Sequence, residues 1–109
     1  MTVTPEHLYD TLSSYAASQG IQLNNDREFV LDILAGLLKN EERYGYRSCP
    51  CRLASGLKER DEDIICPCRY RDADIREFGS CFCSLYVSTA WNDNTLSHKI
   101  VPERRPQRR

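Results

Sequence analysis

The sequence predicts a small, mainly α domain with minor β content at most, helical in its N-terminal half and irregular in its C-terminal half. Three observations lead there. Two amphipathic segments precede residue 45, long apolar periodicity stops at Gly45, and all six cysteines fall between residues 49 and 83 as three Cys-x-Cys pairs. At 109 residues, 40% hydrophobic and 28% charged, the chain has the size and composition of one folded domain. It divides into helices over 4–44, a cysteine segment over 45–101, and a basic flexible tail over 102–109.

The first helix should start at Thr4, whose hydroxyl can cap it, with Pro5 at the first helical position and Glu6 as an early acid. Leu8, Leu12, Tyr15 and Ala16 then share one face, and Gly20 supplies a stop. A second helix is expected from near Asn25, with Glu28 as capping-box partner. Its apolar rows are Phe29, Ile33, Leu37 and Val30, Leu34, Leu38, which together make a broad stripe. Beyond Gly45 only short elements are expected. These are a helical turn over 53–58, a helix over 72–78 closed by Gly79, and a short strand or extended segment over 83–88. Asp61-Glu62-Asp63 reads as a solvated loop.

Composition also excludes function classes. A formal net charge of −1 gives no footing for a nucleic-acid binder held by phosphate contacts. The best apolar run, residues 29 to 38, contains Asp32 and stops at Lys39, far short of the ~20 residues that span a bilayer. The N-terminal stretch lacks the charged and apolar regions of an export signal. A cytoplasmic location is therefore expected, and there six cysteines read as ligands or redox groups before a structural disulfide framework.

The pairs are Cys49-Pro50-Cys51, Cys66-Pro67-Cys68 and Cys81-Phe82-Cys83. Proline disfavours helical backbone in the residue before it, so Cys49 and Cys66 are expected to be extended. In extended chain side chains at i and i+2 fall on one side, so both sulfurs of a pair can face one inorganic centre. Structural zinc sites more often use Cys-x-x-Cys knuckles, and none occurs here. A disulfide within one Cys-x-Cys would close a strained small ring, so thiols of different pairs are better partners. A [4Fe–4S] cluster takes four thiolates and leaves two, and a dithiol beside a cluster can turn single electrons into a reduced disulfide.

Taken together, the three ordered pairs resemble the catalytic subunit of ferredoxin:thioredoxin reductase, whose hallmark is Cys-Pro-Cys, Cys-Pro-Cys, then Cys-His-Cys. The likeness extends to the two helices before the first pair, Arg52 after it, and Leu85-Tyr86-Val87 with Trp91-Asn92-Asp93-Asn94 after the last. The resemblance implies a [4Fe–4S] cluster on Cys49, Cys66, Cys68 and Cys81, and a redox-active disulfide between Cys51 and Cys83. It implies ferredoxin as electron donor and thioredoxin or a similar small disulfide protein as acceptor, with Cys51 attacking the substrate and Cys83 next to the cluster. A small variable subunit or a homodimer is compatible with it. No nucleic-acid or membrane partner is expected.

Two features depart from the family. The gaps between pairs are fourteen residues (52–65) and twelve (69–80), the first shorter and the second longer than the usual pattern. Phe82 stands where the family has histidine, so either another group delivers the proton, with His98, a tyrosine or water as candidates and His7 a weaker one, or the cycle tolerates its loss. Arg47, Arg52, Arg69 and Arg71 can offset the charge of a four-thiolate centre, and Tyr86 and Trp91 read as core. Two rivals remain. One is an iron–sulfur electron carrier or sensor without disulfide turnover, the other a zinc-stabilised interaction module.

Overall fold

A computed structural model of the chain describes residues 3–52 and 54–104. Helix α1, Pro5–Ser18, begins as its sequence demands, with the Thr4 hydroxyl accepting from His7 N–H at 3.1 Å. Strand β1 follows at Gln22–Leu23, and helix α2 runs Arg27–Tyr44. The cap of α2 is Asp26, one residue later than expected, because its carboxylate accepts from Phe29 N–H at 3.2 Å. Glu28 therefore sits in the first turn rather than in a capping box. Gly45 closes the helix in the left-handed region at φ 83, which a side chain would resist.

α1 packs on α2 through Leu8 and Ala16 against Val30, Leu34 and Leu37, all buried. Phe29, expected in the apolar stripe, is 36% exposed, while Ile33 and Leu38 lie at the margin of the core. The helical pair is tied to the C-terminal half by a two-residue antiparallel ladder, one strand of which falls within the short strand expected over 83–88 while the other carries no sequence signal. Gln22 pairs with Val87 and Leu23 with Tyr86, the second strand β2 being Tyr86–Val87. Asn24 extends the seam, its N–H donating to Leu85 O at 2.9 Å and its amide to Ser84 O at 3.0 Å. The apolar core thus continues from α1 and α2 into Leu85, Tyr86 and the buried cysteines.

The remaining elements are short: α3 Lys58–Asp61, a 3₁₀ turn Glu62–Ile64, α4 Arg71–Phe78 and α5 Thr89–Asn92. α4 ends on Gly79 at φ 81, as the sequence indicates. The turn expected over 53–58 begins instead at Lys58, and its first residue, Leu53, lies outside the described residues. The acidic triplet is not a solvated loop. Asp61 is fully buried, accepting from Tyr46 Oη, Ser55 Oγ at 2.9 Å and Ser55 N–H at 3.0 Å, with Gly56 N–H at 3.3 Å. Asp63, also buried, accepts from Tyr70 Oη at 2.6 Å. These acids fold inward because backbone and hydroxyl donors converge on them.

Burial opposes ionisation of Asp61, but the Tyr46 and Ser55 donors outweigh it and hold the carboxyl below its usual range. A depressed native value contributes stability above the unfolded carboxyl pKa of ~4 and loses it as pH falls through the native value. Asp61→Ala is expected to destabilise the fold by about 2–3 kcal/mol at pH 7, leaving buried donors unpaired. It should also flatten the acid side of a urea-denaturation series, with the penalty shrinking below pH ~4.

Candidate metal centre and dithiol

Local backbone pairing, not long elements, assembles the cysteines. Cys49 N–H donates to Ile64 O and Cys66 N–H to Arg47 O, both at 2.8 Å, which lays the first pair beside the second. Cys81 N–H donates to Tyr86 O at 2.9 Å, which hangs the third pair on β2. The Cys66–Pro67 peptide is cis. The first and third pairs do not continue as extended chain. Arg52 N–H bonds Cys49 O at 3.2 Å and Ser84 N–H bonds Cys81 O at 2.9 Å, so each closes an i to i+3 turn.

The first turn gives its two sulfurs different surroundings while keeping them close. One small cavity is lined by Cys49, Cys66, Cys68, Cys81 and Cys83. Cys51 is not on it. Exposed, it opens instead on a groove walled by Phe82, Trp91, His98 and Val101. Yet the sulfurs of Cys49, Cys51 and Cys83 lie within 4.8 Å of one another, and Cys81 and Cys83 sulfurs are 3.8 Å apart. Cys83 thus faces the cavity while remaining in reach of the surface thiol. Cys49, Cys66, Cys68 and Cys81 all line this cavity, while the tight trio of sulfurs includes only one of them. That suits a polynuclear centre, with atoms between its ligands, better than one tetrahedral ion.

Other wall groups fit the same chemistry. Arg52 donates through Nη1 to Cys68 Sγ at 3.4 Å, and Tyr86 N–H donates to Cys81 Sγ at 3.3 Å. Arg71 is buried on the same wall, bonded to Tyr15 Oη at 2.6 Å and to Asp72, with Tyr15 and Tyr86 rings on its guanidinium. Two buried cations beside four thiolates supply the charge balance such a centre needs. Tyr86 Oη is buried with no partner among the described residues, on the wall of this cavity. Burial, then the Cys66 sulfur, pushes its ionisation well up, so the phenol stays a donor. An acceptor bound in the cavity would satisfy it. The residues fit a four-thiolate cluster.

As free thiols the six are strongly differentiated. Burial pushes Cys66 well up and Cys68 up, outweighing the opposing influence of Arg71 on the first and Arg52 on the second. Cys49, which accepts from Cys51 and then Cys83, is lowered, and donating to Cys49 raises Cys51 to about 11 and Cys83 well above the thiol range. Cys81 is lowered, chiefly by its bond from Cys83. Metal binding to such thiols releases protons and is pH-dependent.

The weighed arginines divide. Arg52 and Arg71 are buried on the cavity, whereas Arg47 pairs with Glu41 at 3.1 Å and Arg69 is exposed. Tyr86 is core, but Trp91 is only half-buried and stacks its ring on His98 at 3.7 Å. His7 is exposed on α1. Two residues of the segment expected to be a tail, Glu103 and Arg104, are held by ion pairs. Glu103 holds Arg52, and Arg104 pairs with Asp74 at 2.8 Å and with Glu77, so charge pairing fixes both to the body. Residues 105–109 lie outside the described residues.

Gly36 is a site residue that the sequence reading passed over. It occupies the middle of α2, and a Cβ built there would come within 2.9 Å of Pro50 Cβ, between the first two cysteines. An unexplained glycine inside a strong helix was the available signal. Gly36→Ala gains ~1 kcal/mol of helix propensity but sets a methyl against a rigid ring, at a cost of about 1–3 kcal/mol. The clash should win. The variant is expected to melt lower and to hold less metal per chain, and higher stability with unchanged metal content would contradict this packing.

The protein-family comparison matches residues 4–105 to the family described as ferredoxin thioredoxin reductase catalytic beta chain. A curated relative, the ferredoxin-thioredoxin reductase catalytic chain of Guillardia theta, is 29% identical over 80 residues, covering 69% of this chain and 72% of that protein. With the match spanning both helices and all three cysteine pairs, the chain belongs to the ferredoxin thioredoxin reductase catalytic beta chain family, a family of oxidoreductases.

Proposed function

We propose that this chain is a ferredoxin-dependent disulfide reductase. Cys49, Cys66, Cys68 and Cys81 hold a [4Fe–4S] cluster, and Cys51 and Cys83 form the redox-active disulfide. One observation carries this reading: of the three converging sulfurs, Cys83 faces the cavity and Cys51 faces the open groove. When bound, the cluster accepts and passes electrons one at a time, matching a one-electron donor such as ferredoxin to a two-electron disulfide.

The chain's own residues then divide the work. With Cys49 taken up as a ligand, the hydrogen bond that raises Cys51 is given up, and the Cys51 thiolate attacks one sulfur of the substrate disulfide, forming a mixed disulfide and expelling the other sulfur as a thiolate. Cys83 then attacks the Cys51 sulfur, re-forming the internal disulfide and releasing the second substrate thiolate. Two electrons from the donor and two protons restore the dithiol and complete the balance. Phe82, which walls both the cavity and the groove, keeps water from the cavity side and carries no titratable proton. His98 and Lys99 are the titratable nitrogen groups on the groove beside Cys51, and they are the local proton sources. Thioredoxin or a similarly small disulfide protein is the acceptor. A reducing compartment, the cytoplasm, keeps these thiols available.

The test is anaerobic reduction by ferredoxin in the presence of candidate disulfide proteins, with single-turnover trapping of the covalent adduct. The expected result is a mixed disulfide on Cys51. An adduct on another cysteine, or none with every acceptor while the centre still takes up electrons, would favour a carrier or sensor instead.

A further inference from the structure

Arg52 is the charged side chain that touches a predicted ligand sulfur among the described residues, and its surroundings are unusually complete. Its side chain is 2% exposed. Nη1 donates to Cys68 Sγ at 3.4 Å, while Nε and Nη2 grip the Glu103 carboxylate at 2.7 and 2.8 Å. The guanidinium lies over the Phe82 ring at 4.4 Å and the Tyr70 ring at 5.3 Å. A planar fork pinned on three sides cannot swing from Cys68 without breaking a bidentate ion pair.

Hydrogen bonds to ligand sulfurs and nearby charge set the potential of iron–sulfur centres. Reduction adds negative charge, and a buried cation donating to a ligand sulfur favours the reduced state. A carboxylate held against the same cation opposes it. We propose that Arg52 is a positioning residue that makes the metal centre easier to reduce through Cys68, and that Glu103 limits this effect by clamping the same guanidinium. The proposal rests on the cluster reading above. Val101, two residues from Glu103, walls the groove onto which Cys51 opens, so this ion pair ties the substrate side of the molecule to a ligand sulfur.

The two side chains make opposite predictions, which a purely structural role does not. In the iron-loaded full chain, Arg52→Gln should make the centre harder to reduce and Glu103→Gln should make it easier. Each shift should be on the order of tenfold in the one-electron equilibrium, or about 59 mV. The readout is an optical redox titration under anaerobic conditions, with iron content and melting temperature measured alongside. Should Arg52→Gln lose its iron, Arg52→Lys keeps a cation without the fork, and the sign for Glu103→Gln decides. Shifts of one sign in both variants, or no shift beyond about twofold with iron at parent level, would overturn the inference and leave the cluster reading intact. A parent protein holding no iron would overturn both.

Discussion

Cys51→Ser is expected to abolish disulfide reduction while leaving the metal centre and the fold in place. The exposed sulfur lines the groove and not the cavity, and no mixed disulfide can form without it. Removing a nucleophile that acts as one unit with its partner leaves only background, a loss on the order of 10³-fold or more. Serine keeps the shape of the turn at Cys49–Arg52, so visible absorption and iron content should match the parent. The measurement is ferredoxin-driven reduction of a disulfide acceptor, run beside an iron assay on the same preparation. Loss of iron in this variant would put Cys51 among the ligands and overturn the assignment of roles.

Cys66→Ser should do the reverse. Its sulfur lines the cavity, and its backbone stitches the second pair to the first through Arg47 O. Around the cavity there is little regular structure: the connecting elements are a two-residue ladder, two isolated bridges and short helices. Metal binding in such a segment is folding free energy, about 10–16 kcal/mol apparent for structural zinc sites. That is comparable to the ~5–15 kcal/mol net stability of a typical domain. Loss of one ligand should therefore cost the centre, and with it cooperative folding of residues 46–101. Iron content should collapse, and the melting transition should drop or broaden. A variant that melts like its parent and keeps its iron would remove Cys66 from the ligand set.

Much of this was legible in the sequence because the signals were local. Thr4-Pro5-Glu6, Gly45 and Gly79 each specify their own element and appear where their chemistry places them, and of the apolar rows of α2 it is Val30, Leu34 and Leu37 that are buried. The grouping of cysteines was legible for the same reason. What the sequence did not show depends on residues distant in the chain. Strand β1 is too short to carry a period of two, though its partner lies within the segment expected over 83–88, and Asp61 is buried only because Tyr46, Ser55 and Gly56 turn toward it. Glu103 looked like part of a basic tail until Arg52 appeared beside it. The split of the first pair is the most instructive case. Proline at position 50 indicated extended chain with both sulfurs on one side, but a turn hydrogen bond puts one sulfur in the cavity and the other outside.

The central claim is that four thiolates around the cavity hold a [4Fe–4S] cluster beside a separate dithiol. Metal and acid-labile sulfide analysis of anaerobically purified protein tests it most directly, read with the visible spectrum and a count of alkylatable thiols after reduction. The account predicts about four irons and four sulfides per chain, brown absorption, and two thiols free of the centre after reduction, exposed Cys51 alkylated rapidly and buried Cys83 slowly. Zinc without sulfide, in a colourless protein, would contradict it.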